Sequence, residues 1–277
     1  KKKNINKFET TELEEETKKK GGIVKIKKEH DENGKIRRTA ILCIDDDEYH
    51  NLISTYGNPM FIDGTAVPNR LNWELTMITL VDKYLGIQPG GAMFSLNSNK
   101  ETFDWFLKKI MKLIKQRDKV TIISDEDHAI CSSIKTFNSR GFNQVKITHV
   151  LCAWHKEQNF YKKLAKCGFD DEQMEHIKYL WKRICNSPKK SVVLECINEM
   201  KQYDNHKLTH YIDKHIIPIL NNFARAFIPE FTAGYNVSSL AESANSLLKR
   251  NLTASYFTLN EIKDTIRRAP FSNKSFN

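Results

Sequence analysis

Three acidic side chains occupy places in the chain that call for an explanation. Asp63 falls inside the apolar run MFIDGTAV, where a charged group is costly to bury unless it is paired or binds a metal ion. Asp125 follows directly on the apolar run at 120–124, and in open α/β sheets ligands collect at the carboxyl ends of strands. Glu242 opens a helix whose apolar side is Leu240, Ala244, Leu247 and Leu248 and whose other side carries Asn245 and Lys249. Each acid also has an ordinary reading. Asp63-Gly64 can form a tight turn, although Pro68-Asn69 just downstream is the better place to reverse the chain. Either Asp125 or Asp127 can cap the helix near His128. Ser239 and Glu242 have the spacing of a capping box. Together, three carboxylates can hold hard divalent cations. Phosphodiester hydrolysis and strand transfer proceed by in-line attack, and two Mg²⁺ ions about 3.5–4 Å apart activate the attacking oxygen and stabilise the leaving one. Carboxylates supply oxygen ligands while water and the scissile phosphate complete the octahedra. Asp63, Asp125 and Glu242 are therefore the expected catalytic and metal-binding set, with two Mg²⁺ or Mn²⁺ ions.

These residues must be positioned by a fold, and the periodicity supplies one. After a charged arm over 1–21, expected to be mobile or partly helical, two β-like stretches at 23–26 and 39–44 flank the hairpin signal Asn33-Gly34. Residues 59–96 read as three antiparallel strands, with turn chemistry at Pro68-Asn69-Arg70 and at Pro89-Gly90-Gly91. A helix follows, with Ser98 and Glu101 at capping-box spacing and an apolar stripe from Phe103 to Ile114. Then come a buried strand at 120–124, a helix near 128–138 and another strand at 145–152. Three antiparallel strands plus two parallel ones is a ribonuclease-H-like layout: an α/β fold with a mixed five-stranded sheet flanked by helices. From about 169 to 231 only helices are expected, an insertion before the last catalytic helix. The organisation is thus a basic arm with hairpin and helix over 1–57, a first core part over 58–168, the helical insertion over 169–231, and a final core part over 232–277. This topology brings the first strand, the fourth strand and the late helix to one edge of the sheet, which favours Glu242 as a ligand over Glu242 as a cap.

Two further features have chemical potential. Cys152-Ala153-Trp154-His155 sits where a strand runs into a helix; C-x-x-H is half of a tetrahedral zinc site if His149 or Cys131 lies near, and otherwise a buried thiol beside a hydrogen-bonded imidazole. No C-x-x-C pair exists, the six cysteines are scattered, and zinc is not expected here. Trp181 shares a helical stripe with Met174, Ile177 and Ile184 and reads as core; its functional alternative is stacking on an unpaired base.

The runs FIDGTA at 61–66, TIISDEDHAI at 121–130, HVLCAWHKEQNF at 149–160 and SSLAESANSLLKR at 238–250 resemble, in order and in local wording, the Mutator-like (MULE) transposase domain. The resemblance covers about residues 58–250. It implies that Asp63, Asp125 and Glu242 are the catalytic triad of a cut-and-paste DNA transposase, that Cys152 and His155 support it, and that His155 can contact the scissile phosphate. It also implies an all-helical insertion before the glutamate, and DNA partners in the form of terminal inverted repeats and target duplex. A transposase-derived DNA-binding regulator or another ribonuclease-H-like nuclease are the alternatives.

Composition agrees with a polyanionic partner. The chain has 277 residues, 40% of them hydrophobic, and carries a net charge of +10. Charge alone does not choose between nucleic acid and an anionic membrane, but no apolar run approaches spanning length. The expectation is a soluble intracellular fragment acting in the nucleus, without membrane contact and with homo-oligomerisation possible.

Overall fold

The computed structural model describes residues 2–67, 69–84, 86–114, 118–141, 145–228, 232, 246, 250, 252 and 257–268. Its strands are β1 (Gly21–His30), β2 (Ile36–Asp46), β3 (Met60–Thr65), β4 (Glu74–Val81), β5 (Ile87–Ser95), β6 (Lys119–Ser124) and β7 (Lys146–Leu151). They form one sheet in the order β1-β2-β5-β4-β3-β6-β7. The mixed α/β class and the β3–β5 meander agree with the sequence reading. The five-strand expectation does not hold, because the N-terminal hairpin joins the sheet: β2 pairs antiparallel with β5 from Ala40↔Ser95 to Cys43↔Ala92. The hairpin turn itself lies at Asn33-Gly34, where Asp31 accepts from the N–H groups of Asn33 and Lys35 and Gly34 takes φ +70°.

The chain divides into two units. The first comprises residues 1–122, 127–148 and 239–277. Its β2 has no polar alternation because both faces are covered. Leu42 and Ile44 pack with Met60 and Ile62 of β3 under α2 (Asp47–Tyr56), α3 (Lys100–Ile110) and α4 (His128–Ser139). Ile41 and Cys43 pack with Leu75 and Met77 of β4 against α1 (Lys2–Lys19) and the C-terminal helix α10 (Leu259–Arg268). Fully burying each such side chain is worth about 1.5–3 kcal/mol, so both helical layers are firmly attached.

Of the two readings of the N-terminal arm, mobile or partly helical, the structure shows the helical one: residues 2–19 form a helix whose inner face includes Glu9, Thr10, Leu13 and Thr17, with Thr17 in contact with Cys43. Its apolar signal is weak because threonines do much of the packing. Two local expectations are corrected. Asn99, not Ser98, caps α3, accepting from the Thr102 N–H at 3.0 Å. Pro89-Gly90-Gly91 is a bulge inside β5 rather than a turn, where the register with β4 shifts between Ile78 and Thr79. Gly91 there takes φ +150°, and an added Cβ would lie 2.9 Å from the Cys43 carbonyl of the neighbouring strand. The reversal into β5 occurs instead at Asp82, which accepts from the N–H groups of Tyr84 and Gly86.

The second unit comprises residues 123–126 and 149–238. Its described residues after β7 are helical: α5 (Ala153–Leu164), α6 (Asp171–Asn186), α7 (Lys190–Lys201), α8 (His206–Tyr211), a π-turn at Ile212–Ile216 and the short α9 (Leu220–Phe223). Asp170 and Gln173 form a capping box at the start of α6. No helix among the described residues is long and apolar enough to cross a membrane.

Candidate functional site

Asp63 lies in the middle of β3, opposite Met77, and the pairing continues through Gly64↔Thr76 and Thr65↔Leu75. The tight turn at Asp63-Gly64 is therefore excluded. The chain reverses at 69–73 instead, where buried Asn69 donates to the carbonyls of Val67 and Trp73 and accepts from the N–H groups of Leu71 and Trp73. Met60 and Ile62 face the α2, α3 and α4 layer, so strand alternation puts Asp63 on the opposite face with Phe61 and Thr65. It is only 8% exposed. In the sheet β3 lies between β4 and β6.

In the second unit, the backbone around Asp125 is held at several points. The Cys152 N–H donates to the Ser124 carbonyl at 2.7 Å, and the Ser124 hydroxyl donates to the Asp125 carbonyl at 2.9 Å. His149 Nε2 stands 2.8 Å from that same hydroxyl. Asn222 in turn donates to the His149 carbonyl at 2.9 Å.

The run Asp125-Glu126-Asp127 left the ligand and the cap unassigned in the sequence, and the structure divides the tasks. Asp127 caps α4, accepting from the N–H groups of Ala129 at 2.8 Å and Ile130 at 3.2 Å. Glu126 accepts from the Lys156 ammonium at 2.9 Å.

Cys152 is buried at the start of α5, and the His155 ring lies edge-on to Trp154 at 4.9 Å. Glu242, Asn245 and Lys249 lie outside the described residues. Among the described residues, no group of three His, Cys, Asp or Glu side chains stands close enough to hold a metal ion.

Trp181 is corrected as a stacking residue. It is fully buried, with Phe160 stacked on it at 4.2 Å and 14° and Phe223 at 5.5 Å and 19°, so its ring faces packed side chains rather than solvent. The exposed aromatic of α6 is Tyr179, with the Arg183 guanidinium 5.7 Å from its centroid.

Lys156 escaped the sequence reading. Its side chain is 2% exposed, among the largest fully buried groups in the protein. A signal existed: Ala153, Lys156, Phe160 and Leu164 are the buried positions of α5, a helical stripe in which lysine occupies a core position. Lysine is almost never so buried unless paired. Glu126 is the pair, and the Phe223 ring lies 6.0 Å from the ammonium. Burial raises the nearby Tyr211 phenol above its usual range, and the Glu126 charge adds to that rise.

A mixed sheet layered by helices defines an α/β protein, in which each unit holds one candidate acidic residue: Asp63 buried in a strand, and Asp125 just after a strand end. Residues 60–159 match the family model of the MULE transposase domain. The matched segment takes in Asp63, Asp125, Cys152, His155 and Lys156 and ends before the helical region that follows α5. The match carries a transposase-related, nucleic-acid-processing function with DNA as the general partner. No curated protein matches the chain.

Proposed function

We propose that this protein is a DNA transposase that cleaves and joins transposon ends in a cut-and-paste reaction, with Asp63, Asp125 and Glu242 as the metal-binding carboxylates. The observation that carries the reading is Asp63: a carboxylate only 8% exposed in the middle of β3, inside the segment that matches the MULE transposase domain model. Asp125, which follows directly on the buried strand β6, supports it. So does the division of labour at 125–127, which assigns the cap to Asp127.

The donor chemistry suits a hard divalent cation, because carboxylate oxygens are what Mg²⁺ and Mn²⁺ prefer and no thiolate is needed. Bound there, such ions supply activation of the attacking oxygen and stabilisation of the leaving one. The chain's own contribution is rigidity. The pairing of Asp63 with Met77 of β4 fixes its backbone, and the Ser124 and Cys152 contacts fix the backbone that presents Asp125. His155, on the first turn of α5, is the proposed contact to the scissile phosphate, and the basic surplus of the chain holds the DNA through its phosphates.

The test is nicking of a transposon-end duplex in Mg²⁺ or Mn²⁺. Asp63→Asn and Glu242→Gln keep size and hydrogen-bonding capacity while removing the charge that a cation requires. Each change should abolish nicking while metal-free DNA affinity persists. Normal nicking by Glu242→Gln would leave that residue as a helix cap, and normal nicking by both would sink the metal mechanism.

A further inference from the structure

The N-terminal hairpin reaches beyond the sheet to which it belongs. We propose that its outer half, residues 28–38, is a DNA-contacting ribbon that holds a duplex at the end of the sheet toward which β3 carries Asp63. The inference rests on DNA as the partner, as the catalytic reading above requires.

Its first basis is register. β2 pairs with β5 only from Ala40↔Ser95 to Cys43↔Ala92, whereas β1 and β2 go on pairing through Lys28↔Arg38, Glu29↔Arg37 and His30↔Ile36. Following the ladder inward, Val24, Cys43, Ala92, Met77 and Asp63 form one row across five strands. Four antiparallel steps separate β1 from β3, so the two strands run parallel, and the hairpin tip overhangs the sheet end at which β3 finishes. At strand spacings, the tip lies about 20 Å along the strands and about 19 Å across them from Asp63. A register shift between Lys27 and Lys28 marks where the overhang begins, and such a bulge re-aims the residues beyond it.

The two faces of the ribbon use their charges differently. Cross-strand partners share a face, so Lys28, Arg38, His30 and Ile36 lie on one side, and Glu29 and Arg37 on the other. The second side is neutralised internally: Lys27 bonds Glu29 and the Thr102 hydroxyl of α3, and Arg37 meets Asp31 at 2.9 Å. The first side is that of α1, because Arg38 reaches Glu14 at 3.2 Å. Leu13 of α1 shares a core cluster with Met77, the strand partner of Asp63, so the less neutralised side of the ribbon and Asp63 belong to the same sheet face.

The ribbon is also rigid and dressed for a polyanion. The Asp31 carboxylate accepts from the N–H groups of Asn33 and Lys35 and from Arg37, which locks the turn. Over residues 25–38 six lysines and arginines stand against three acids, and Lys28 and Lys35 are exposed. Ile36, on the Lys28 side, is an apolar side chain 59% exposed. A two-stranded β-ribbon is an element that a duplex groove admits, and an apolar side chain flanked by cations is a groove-entering device.

The experiment is binding of the whole chain to a fluorescent duplex, with p-benzoylphenylalanine replacing either Ile36 or Tyr84 for photo-crosslinking. Tyr84 is 80% exposed in the β4–β5 turn at the opposite end of the sheet and serves as the control. Crosslinking should occur from position 36 and not from position 84. The Lys28→Gln, Lys35→Gln double variant should lower the slope of log affinity against log salt by about 1.8, two phosphates at 0.9 each, while the charge-matched Lys182→Gln, Lys189→Gln variant keeps the wild-type slope. All four lysines are exposed, and circular dichroism checks that the variants fold. No crosslink from position 36, equal crosslinking from both positions, or a slope lowered equally by both double variants or by neither overturns the ribbon, while duplex binding and the catalytic reading stand. Unchanged duplex binding by the Lys28→Gln, Lys35→Gln variant with loss of binding to phosphatidylserine-containing vesicles marks a membrane surface and likewise overturns it. A wild-type chain that does not bind the duplex overturns both readings together.

Discussion

Each unit of this protein buries a lysine, and the two are held in different ways. In the first unit, Lys263 of α10 is 4% exposed and meets Asp45, 7% exposed, at 3.1 Å. Asp264 lies 3.7 Å from the same ammonium, and Arg267 reaches Asp45 at 3.5 Å and Asp46 at 3.1 Å. Both partners are dry and several charges share the load, so the network fastens a helix to the end of β2. In the second unit, Lys156 is just as dry, but its partner Glu126 is 40% exposed. Losing the first lysine strands a buried carboxylate; losing the second frees a carboxylate that can turn to water. Burial of the cation alone does not say what it does. The exposure of its partner does.

The largest expected effect lies in the first unit. Lys263→Met should destabilise it by about 3 kcal/mol, the lower end for breaking a buried pair, because Arg267 still compensates Asp45 in part. Urea unfolding measures this, and Lys263→Met with Asp45→Asn should recover most of the loss. A loss below about 1 kcal/mol would place this pair in the class of surface bridges and erase the contrast.

A pH series sharpens the same point. Burial alone would lower the Lys263 value, but the neighbouring Asp45 carboxylate, with Cys43 and Asp264, holds it above the ordinary 10.5. A raised folded-state value means the contribution is complete below the unfolded-state value and disappears as pH climbs through the folded-state one. The stability gap between wild type and Lys263→Met should therefore be constant at neutral pH and narrow only above 10.5.

Asp127→Ala removes the two contacts that cap α4 and should cost about 1 kcal/mol, with nicking retained. Smallest of all, Lys156→Met should change stability by about 1 kcal/mol or less, since the freed Glu126 is rehydrated and methionine fills the aromatic-lined space. A loss as large as that of Lys263→Met would make the two lysines equivalent.

Much of this was legible in the chain because apolar context constrains acids strongly. Asp63 inside MFIDGTAV and Asp125 after VTIIS stood out for the reason that now explains their positions: strands β3 and β6 are buried around them. The hairpin at Asn33-Gly34 was legible too, since a turn is a local matter. That β2 then pairs with β5 was not, because edge pairing depends on strands about fifty residues apart. Helix α1 was legible only as a partly helical arm, because Thr10 and Thr17 pack where an apolar stripe would carry leucine. The roles within Asp125-Glu126-Asp127 could not be read from spacing, since the partner that decides Glu126 lies thirty residues on. Trp181 was legible as core from its stripe, and the Phe160 and Phe223 rings show why it is not a base-stacking surface.

The central claim is that a carboxylate at 125, rather than its acidic neighbours, serves metal-dependent cleavage. It is tested most directly by comparing Asp125→Asn with Asp127→Asn in single-turnover nicking of a transposon-end duplex in Mg²⁺, with folding of both verified by thermal unfolding. The account predicts that Asp125→Asn falls to the level of the metal-free control while Asp127→Asn stays near wild type. Wild-type nicking by Asp125→Asn, or loss of nicking by Asp127→Asn in a folded protein, would contradict it.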